Sequence, residues 1–397
     1  MQISKDIVIF GGGIAGLWLL NRLRSAGYDA VLLEASALGA GQSVASQGMI
    51  HGGMKYALGG RLTGASEAIA DMPQLWRDCL AGRGEVDLQG LPLLSDTYYL
   101  WPRNSLRSRF NAFLGSKAVR GKVDSVPEAE LPPFFKGHIS SPLYRLRDIV
   151  LDVPAVLQRL AANMAGHVFR LDWQQCRLES TADGGIAALH LPQGQILHAA
   201  LFVCCSGAGN SFFLERLQPA APTPAMQRRP LQMVVVKHTL PDPVYVHCVS
   251  EQLTATPELT ITTHRCRDGS TAWYLGGELA EQGAGMPAAE LLETTRRKLR
   301  ELFPWCDFSQ ARYHSFHIDR AEARQPDGKR PDTASVLASA NLLYCWPTKL
   351  TLAPVLAQQV LQHIQARGLQ ASGTAAADNT LQGLPVPEVA TTPWDGF

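Results

Sequence analysis

Three ionisable side chains stand out in this sequence by type and setting. His51 ends the run Gly48-Met-Ile-His. An imidazole titrates near neutrality, so it can take a proton from a hydroxyl. Arg320 lies in His317-Ile-Asp-Arg-Ala-Glu-Ala-Arg324, after the strand-like run 311–316. A guanidinium fork matches a carboxylate or a phosphate bidentately. Arg324 and Arg330 compete for that role, and an ion pair of Arg320 with Asp319 or Glu322 is its structural alternative. Lys349 precedes Leu350 and Thr351 at the start of a helix, where its charge opposes the helix dipole. A surface lysine is the alternative there. A base and basic groups in one cleft would suit a small anionic substrate.

Elements that could position these residues begin at the N-terminus. Residues 5–10 are a short apolar run of the kind that forms a strand buried on both faces. Gly11-Gly-Gly-Ile-Ala-Gly16 follows, then a helix from Leu17 to Ala26 ending at Gly27, then a strand Val31-Leu-Leu-Glu34. This is a β-α-β unit with G-x-G-x-x-G at its first turn. Gly11 allows the tight turn, Gly13 lets a pyrophosphate approach the backbone, and Gly16 lets the helix pack close to the sheet. Pyrophosphate oxygens would sit on the helix N-terminus near Ile14 and Ala15. Glu34 lies eighteen residues after Gly16 and can accept hydrogen bonds from a ribose diol. Its charge would repel a 2′-phosphate, which disfavours NADP. Motif, strand, helix and acid together predict dinucleotide binding. A long stretch rich in Gly, Ser and Ala follows Glu34 instead of another β-α unit, and suits backbone wrapping closely around an extended ligand.

Gly11–Glu34 followed by Ser43-x-x-Ser46-Gln-Gly48-Met-Ile-His51-Gly-Gly-x-x-Tyr56 resembles the D-amino-acid-oxidase superfamily of FAD enzymes. The His-Gly-Gly-x-x-Tyr part is most similar to the glycerol-3-phosphate dehydrogenase/oxidase and 2-hydroxyglutarate dehydrogenase branch. The resemblance implies FAD as cofactor. It implies that Ser43 and Ser46 touch the pyrophosphate or ribityl chain and that His51 lies beside the isoalloxazine. It carries cofactor contact over to Ala35, Gln47, Gly48, Val168, Gly207, Leu350 and Thr351. Leu201-Phe-Val-Cys-Cys-Ser-Gly207-Ala-Gly-Asn210 resembles the family's second nucleotide-contacting turn, and a generic strand-to-helix turn is the alternative. The run 340–357 resembles the strand, turn and helix that close the family's FAD domain, where Lys349 would face the flavin N1–C2=O edge. Many relatives are Gly-rich at this turn, and this chain has Trp-Pro-Thr-Lys instead. His51 thus has three readings: base or substrate contact, structural hydrogen bond, or covalent attachment to the flavin. No metal is expected.

The expected fold class is α/β. A Rossmann-like FAD-binding domain takes residues 1–75, 146–215 and 312–369. An interleaved α+β substrate domain built on an antiparallel sheet takes 76–145 and 216–311, and 370–397 form a C-terminal tail, loose or wrapped on the surface. Within this scheme Asp152 opens a Pro-started helix and Asp183-Gly-Gly marks a hairpin. Leu231–His238, Leu259–His264 and Thr271–Gly277 alternate as strands, with a hairpin turn at Asp268-Gly269. Residues 287–303 form an amphipathic helix.

Composition narrows the function. At 397 residues the chain exceeds the ~250–300 at which single cores stop growing, so two lobes are expected. Lys+Arg number 36 and Asp+Glu 35, which provides no global field to hold nucleic acid. The eight cysteines show no Cys-x-x-Cys spacing, so they read as small buried hydrophobes of a reducing compartment. Neither a membrane span nor a signal peptide is expected, which points to the cytoplasm. Six Lys/Arg (103, 107, 109, 117, 120 and 122) without an acid mark residues 97–123. Such a stretch can lie on an anionic membrane surface, as would suit electron transfer to a quinone, or it is a solvated face.

The first functional expectation is oxidation of a CH–OH carbon of a small anionic substrate, a 2-hydroxy acid or glycerol phosphate, with O2 or a quinone as acceptor. Oxidation of a CH–NH carbon of an amino acid or amine is the second. A non-catalytic FAD-binding electron-relay partner is the third.

Overall fold

The computed structural model describes residues 1–53, 69–102, 123–217, 224–250, 256–373 and 379–397. Tyr56 and most of the basic stretch 97–123 lie outside the described residues. No helix among the described residues is long and apolar enough to cross a membrane.

The apolar run at the N-terminus forms the strand Gln2–Phe10, whose last four residues are all buried. Ala30–Glu34 pairs with it on one side and Ile196–Cys204 on the other, both parallel. Val168–Arg170 and Leu342–Trp346 extend the parallel sheet outward in the two directions. The segments Ile7–Phe10, Ala30–Leu33, Leu201–Cys204 and Leu342–Trp346 are apolar and buried because both faces of the sheet are covered there. On one face lie the helices Ile14–Ser25, Val153–Asn163 and Ala353–Ala366. On the other, Phe10 stacks on Phe202 and Phe213 at centroid distances of 5.9 and 4.7 Å. The Pro-started helix expected at 152 forms, and Asp152 caps it by accepting from the Ala155 N–H.

A second, mainly antiparallel sheet has eight strands among the described residues. Met226–His238, Thr271–Gly276, Leu259–Arg265 and Val246–Val249 lie side by side in that order. Alternation decides their two faces. Val234, Val236 and Trp273 point toward the helix Ala288–Leu302 and form one core. Leu231 and Met233 point the other way, toward the first sheet.

Two boundaries move from where the sequence sets them. The strand Arg312–Ala323, expected in the FAD-binding unit, pairs along its whole length with Met226–His238 at the edge of the second sheet. The helix Met72–Leu80 spans the expected boundary at 75/76 and packs with the first unit, Trp76 lying 4.5 Å from Trp18. Alternation identifies a strand but not the sheet it joins, because the pairing partner is some eighty residues away in sequence. Residues 379–397 run across both units. Val389 bridges to Leu38, the Arg170 N–H donates to Pro385 O, and Trp394 stacks on His264 at 3.8 Å.

Burial of two histidines in the second sheet has a measurable consequence. It pushes His264 down from 6.5 to about 3 and His238 down to about 4. Both are neutral when folded, whereas the unfolded chain binds their protons near pH 6.5. Stability is therefore fully present above pH 6.5 and is withdrawn as pH falls toward 4 and then 3. Each histidine removes up to about 1.4 kcal/mol per pH unit within its window. Urea midpoints at pH 7 and pH 5 should differ in this sense, and His264→Phe should flatten the slope. An unchanged slope in that variant would show that His264 titrates normally.

Candidate active site

A cleft of about 760 Å³ opens between the two sheets, within the usual range for a ligand site. Its floor is the first β-α turn. Gly11 has φ +106°, and a Cβ there would stand 2.7 Å from the Cys205 carbonyl oxygen and the Ser206 Cα. The two strand-end turns thus touch through backbone alone. A Cβ on Gly16 would stand 2.0 Å from the Gly11 carbonyl oxygen, so glycine is required for the helix to seat on the turn. The helix starts at Gly13 with no side-chain cap and no acid in its first turn. Its N–H end and dipole favour an anion. The Ile14 N–H meets the Ser43 hydroxyl at 3.0 Å. The Glu34 carboxylate lines the cleft, oriented by the backbone N–H groups of Gly12 and Ser36.

Further along, the loop after Glu34 ties the sheets together. The Gln47 amide donates to the carbonyls of Thr260 and Tyr274, at 3.2 and 2.9 Å. The Tyr274 hydroxyl donates back to Ala45 O at 2.7 Å. On the opposite wall is the turn after Leu342–Trp346. Thr348 takes φ +64° there, a left-handed conformation uncommon for a β-branched residue, and its hydroxyl donates to Thr333 O at 2.9 Å. This is the position of the Trp346-Pro-Thr-Lys349 turn. Lys349 and Leu350 line the cleft next to it.

Most residues singled out in the sequence meet at this cleft. Gly11, Gly13, Ile14 and Ala15 form its floor. Glu34, Ala35, Ser43, Ser46 and Gln47 follow along one side, with Gly207, Lys349 and Leu350 across from them. Gly16, Gly48, Thr351 and Val168 are not on its wall. Gly16 is spent on helix packing, and a Cβ on Gly48 would meet Leu151 O at 2.3 Å. Thr351 is buried, accepting from the His51 N–H and donating to Met49 O. Val168 is buried within its strand, opposite Leu32.

Arg320 projects from the cleft-facing side of the second sheet, in register with Arg229. Its Nη2 pairs with Glu281 at 2.9 Å, while its Nε is buried with no hydrogen-bond partner among the described residues. Burial lowers its pKa, the Arg229 charge adds to this, and Glu281 opposes it. Arg229 itself is held bidentately by the buried Glu322, both contacts at 2.8 Å. Arg330 lines the same cleft, whereas Arg324 does not.

His51 is buried and does not line the cleft. Its Nδ1 lies 3.2 Å from Asp148 Oδ2, and the Gly52 N–H donates to Asp148 Oδ1 at 2.9 Å. His247, in the strand Val246–Val249, brings a second imidazole whose ring centroid is 6.2 Å from that of His51. Ligand atoms of His51, Asp148 and His247 all lie within 4.8 Å of one another. Sequence reasoning missed Asp148, His247 and Glu281. The only local trace of Asp148 is a charge just before the apolar run 149–151.

A glycine-lined cradle, an uncapped helix end and an acid at the second strand fit a dinucleotide with a diphosphate. The sequence model of the DAO family, FAD-dependent oxidoreductases, matches residues 6–355, and the chain belongs to that family. It is an FAD-dependent oxidoreductase, and FAD is its cofactor. The chain is 45% identical over 395 residues to the probable FAD-dependent oxidoreductase PA4991 of Pseudomonas aeruginosa, covering 99% of this chain and 98% of the relative. The crystal structure of that protein superposes with a TM-score of 0.83. Two more distant structures share the fold. Glycine oxidase of Geobacillus kaustophilus has 15% identity, covers 98% of this chain and 100% of its own, and has a TM-score of 0.63. L-alpha-glycerophosphate oxidase of Mycoplasma pneumoniae, with FAD bound, has 14% identity, 97% and 100% coverage, and a TM-score of 0.61.

Proposed function

We propose that this protein oxidises a CH–OH carbon of a small anionic substrate, a 2-hydroxy acid or a glycerol phosphate. FAD, when bound, supplies the two-electron acceptor for the hydride. The residues must bind the anion and take the hydroxyl proton. The single observation that carries the reading is the His51–Asp148 contact at 3.2 Å. A carboxylate accepts only, so the proton between them sits on Nδ1 and leaves Nε2 as the proton acceptor. The Thr351 hydroxyl ties the His51 backbone to the turn that carries Lys349 and Leu350 at the cleft. Arg320 offers its buried, unpartnered Nε–H to the substrate's carboxylate or phosphate, and leaving such a donor unmet is costly. Lys349 supplies positive charge on the opposite wall.

One observation favours a second reading, oxidation at CH–NH. Glu281 stands beside Arg320, so the cleft offers an anion and a cation site 2.9 Å apart, as a zwitterion would need. An amine entering as the free base would also need no proton acceptor such as His51. Anaerobic titration of the yellow protein decides between the two readings. The panel is glycerol 3-phosphate, both enantiomers of several 2-hydroxy acids, and several D- and L-amino acids. Loss of the visible flavin band with one hydroxy compound is expected. Loss with amino acids alone would sink the first reading in favour of the second. Readmitting air, or adding a quinone, then reports the electron acceptor.

A further inference from the structure

We infer that Asp148 is a positioning residue for His51: it holds the imidazole in its Nδ1–H tautomer and strengthens it as a proton acceptor. The inference rests on the reading of His51 as the base. Register is what brings the two together. Ile149–Leu151 pairs antiparallel with Met49–Ile50, with Ile50 opposite Ile149. The next residue on one strand then faces the preceding residue on the other, and these are His51 and Asp148. Both carboxylate oxygens are used. Oδ2 meets the ring at 3.2 Å, and Oδ1 accepts the Gly52 N–H at 2.9 Å. Ring and following backbone are thus gripped by one side chain, which fixes the direction of Nε2.

The carboxylate is 2% exposed. Burying such a charge is unfavourable unless it is hydrogen-bonded, and His51 and the Gly52 N–H are among the groups that bond it. Its negative charge beside the ring favours the imidazolium over the neutral form. His247 and Tyr98 lie beside the pair. His247 turns its Nδ1 to the Thr260 hydroxyl at 3.0 Å, and Thr260 lines the cleft. Tyr98 packs 4.5 Å from the His247 ring, and burial keeps its phenol protonated. The step these groups serve is one proton transfer. The substrate O–H bond breaks, the proton goes to Nε2, Nδ1–H stays in place, and Asp148 remains a carboxylate.

The test needs no substrate. Imidazole ¹⁵N spectra of the FAD-loaded protein are recorded from pH 5 to 9, with His51→Gln identifying the His51 signals. The expected result is the Nδ1–H tautomer in the unmodified protein. In Asp148→Asn that tautomer preference is lost and the titration midpoint falls by about one pH unit or more, with FAD still bound. Asp148→Glu should restore part of the shift. The same tautomer and midpoint with and without the carboxylate would overturn the inference. So would a stoichiometric metal ion found on His51, Asp148 and His247 in the purified protein. Failure of the base reading is seen separately, as unimpaired flavin reduction in His51→Gln.

Discussion

Gly16→Ala yields a colourless protein. The added methyl carbon would lie 2.0 Å from the Gly11 carbonyl oxygen, and that obstacle is backbone, which cannot rotate away. Either the helix Ile14–Ser25 moves off the sheet or the Gly11 turn opens, and both displace the N–H groups that would receive the cofactor's diphosphate. Overpacking of this kind costs about 1–3 kcal/mol even where side chains can adjust. With backbone on both sides, FAD affinity should fall by about 100-fold or more, which corresponds to about 2.7 kcal/mol. The measurement is the ratio of visible to ultraviolet absorbance after purification, followed by FAD titration of the apoprotein. Gly41→Ala is the control. Gly41 lines the same cleft, yet a Cβ there meets nothing within 4 Å. A yellow Gly16→Ala protein with ordinary affinity would mean that the first turn does not seat the cofactor as the structure implies.

His51→Ala should keep FAD and lose rate. The cradle residues are untouched, and the backbone N–H that donates to Thr351 remains. Flavin reduction by the hydroxy compound found in the anaerobic titration should slow by about 10²–10⁴-fold, the usual effect of removing a general base. The variant also leaves Asp148 without its ring partner in a buried site, which lowers stability. His51→Gln separates the two effects, because its amide can still donate to Asp148. A rate loss of similar size in both variants identifies proton transfer as the cause. A His51→Gln protein reduced within twofold of the normal rate would remove His51 as the base and leave a structural role. Stopped-flow absorbance under anaerobic conditions gives the number directly, and rapid reduction by dithionite confirms that the flavin itself is competent.

The cofactor half of this protein was largely legible in one dimension. Strand, glycines, helix and Glu34 are consecutive, and each is required for a local reason: a turn with positive φ, a close helix-to-strand approach, a helix end left open to an anion. Local requirements leave local signatures. The same holds for Asp152 at its helix N-terminus and for the hairpin turn at Gly269, where φ is +82°.

Contacts between distant segments were decided by tertiary structure alone. The sequence marked 311–316 as strand-like, but the pairing of Arg312–Ala323 with Met226–His238 depends on which edge was available. Asp148 acquires its place beside His51 from a two-residue antiparallel register between segments about a hundred residues apart. Glu281 meets Arg320 because a short helix after Thr271–Gly276 lies against Met226–His238, the strand that pairs with the one bearing the arginine. A side chain's type announces what it can do, whereas its partner is set by register and packing. By itself the sequence therefore pointed to a dinucleotide cofactor and to the first β-α turn as the place that would hold it. Which charges face one another across the rest of the cleft follows from sheet register, a long-range property that no stretch of neighbouring residues carries.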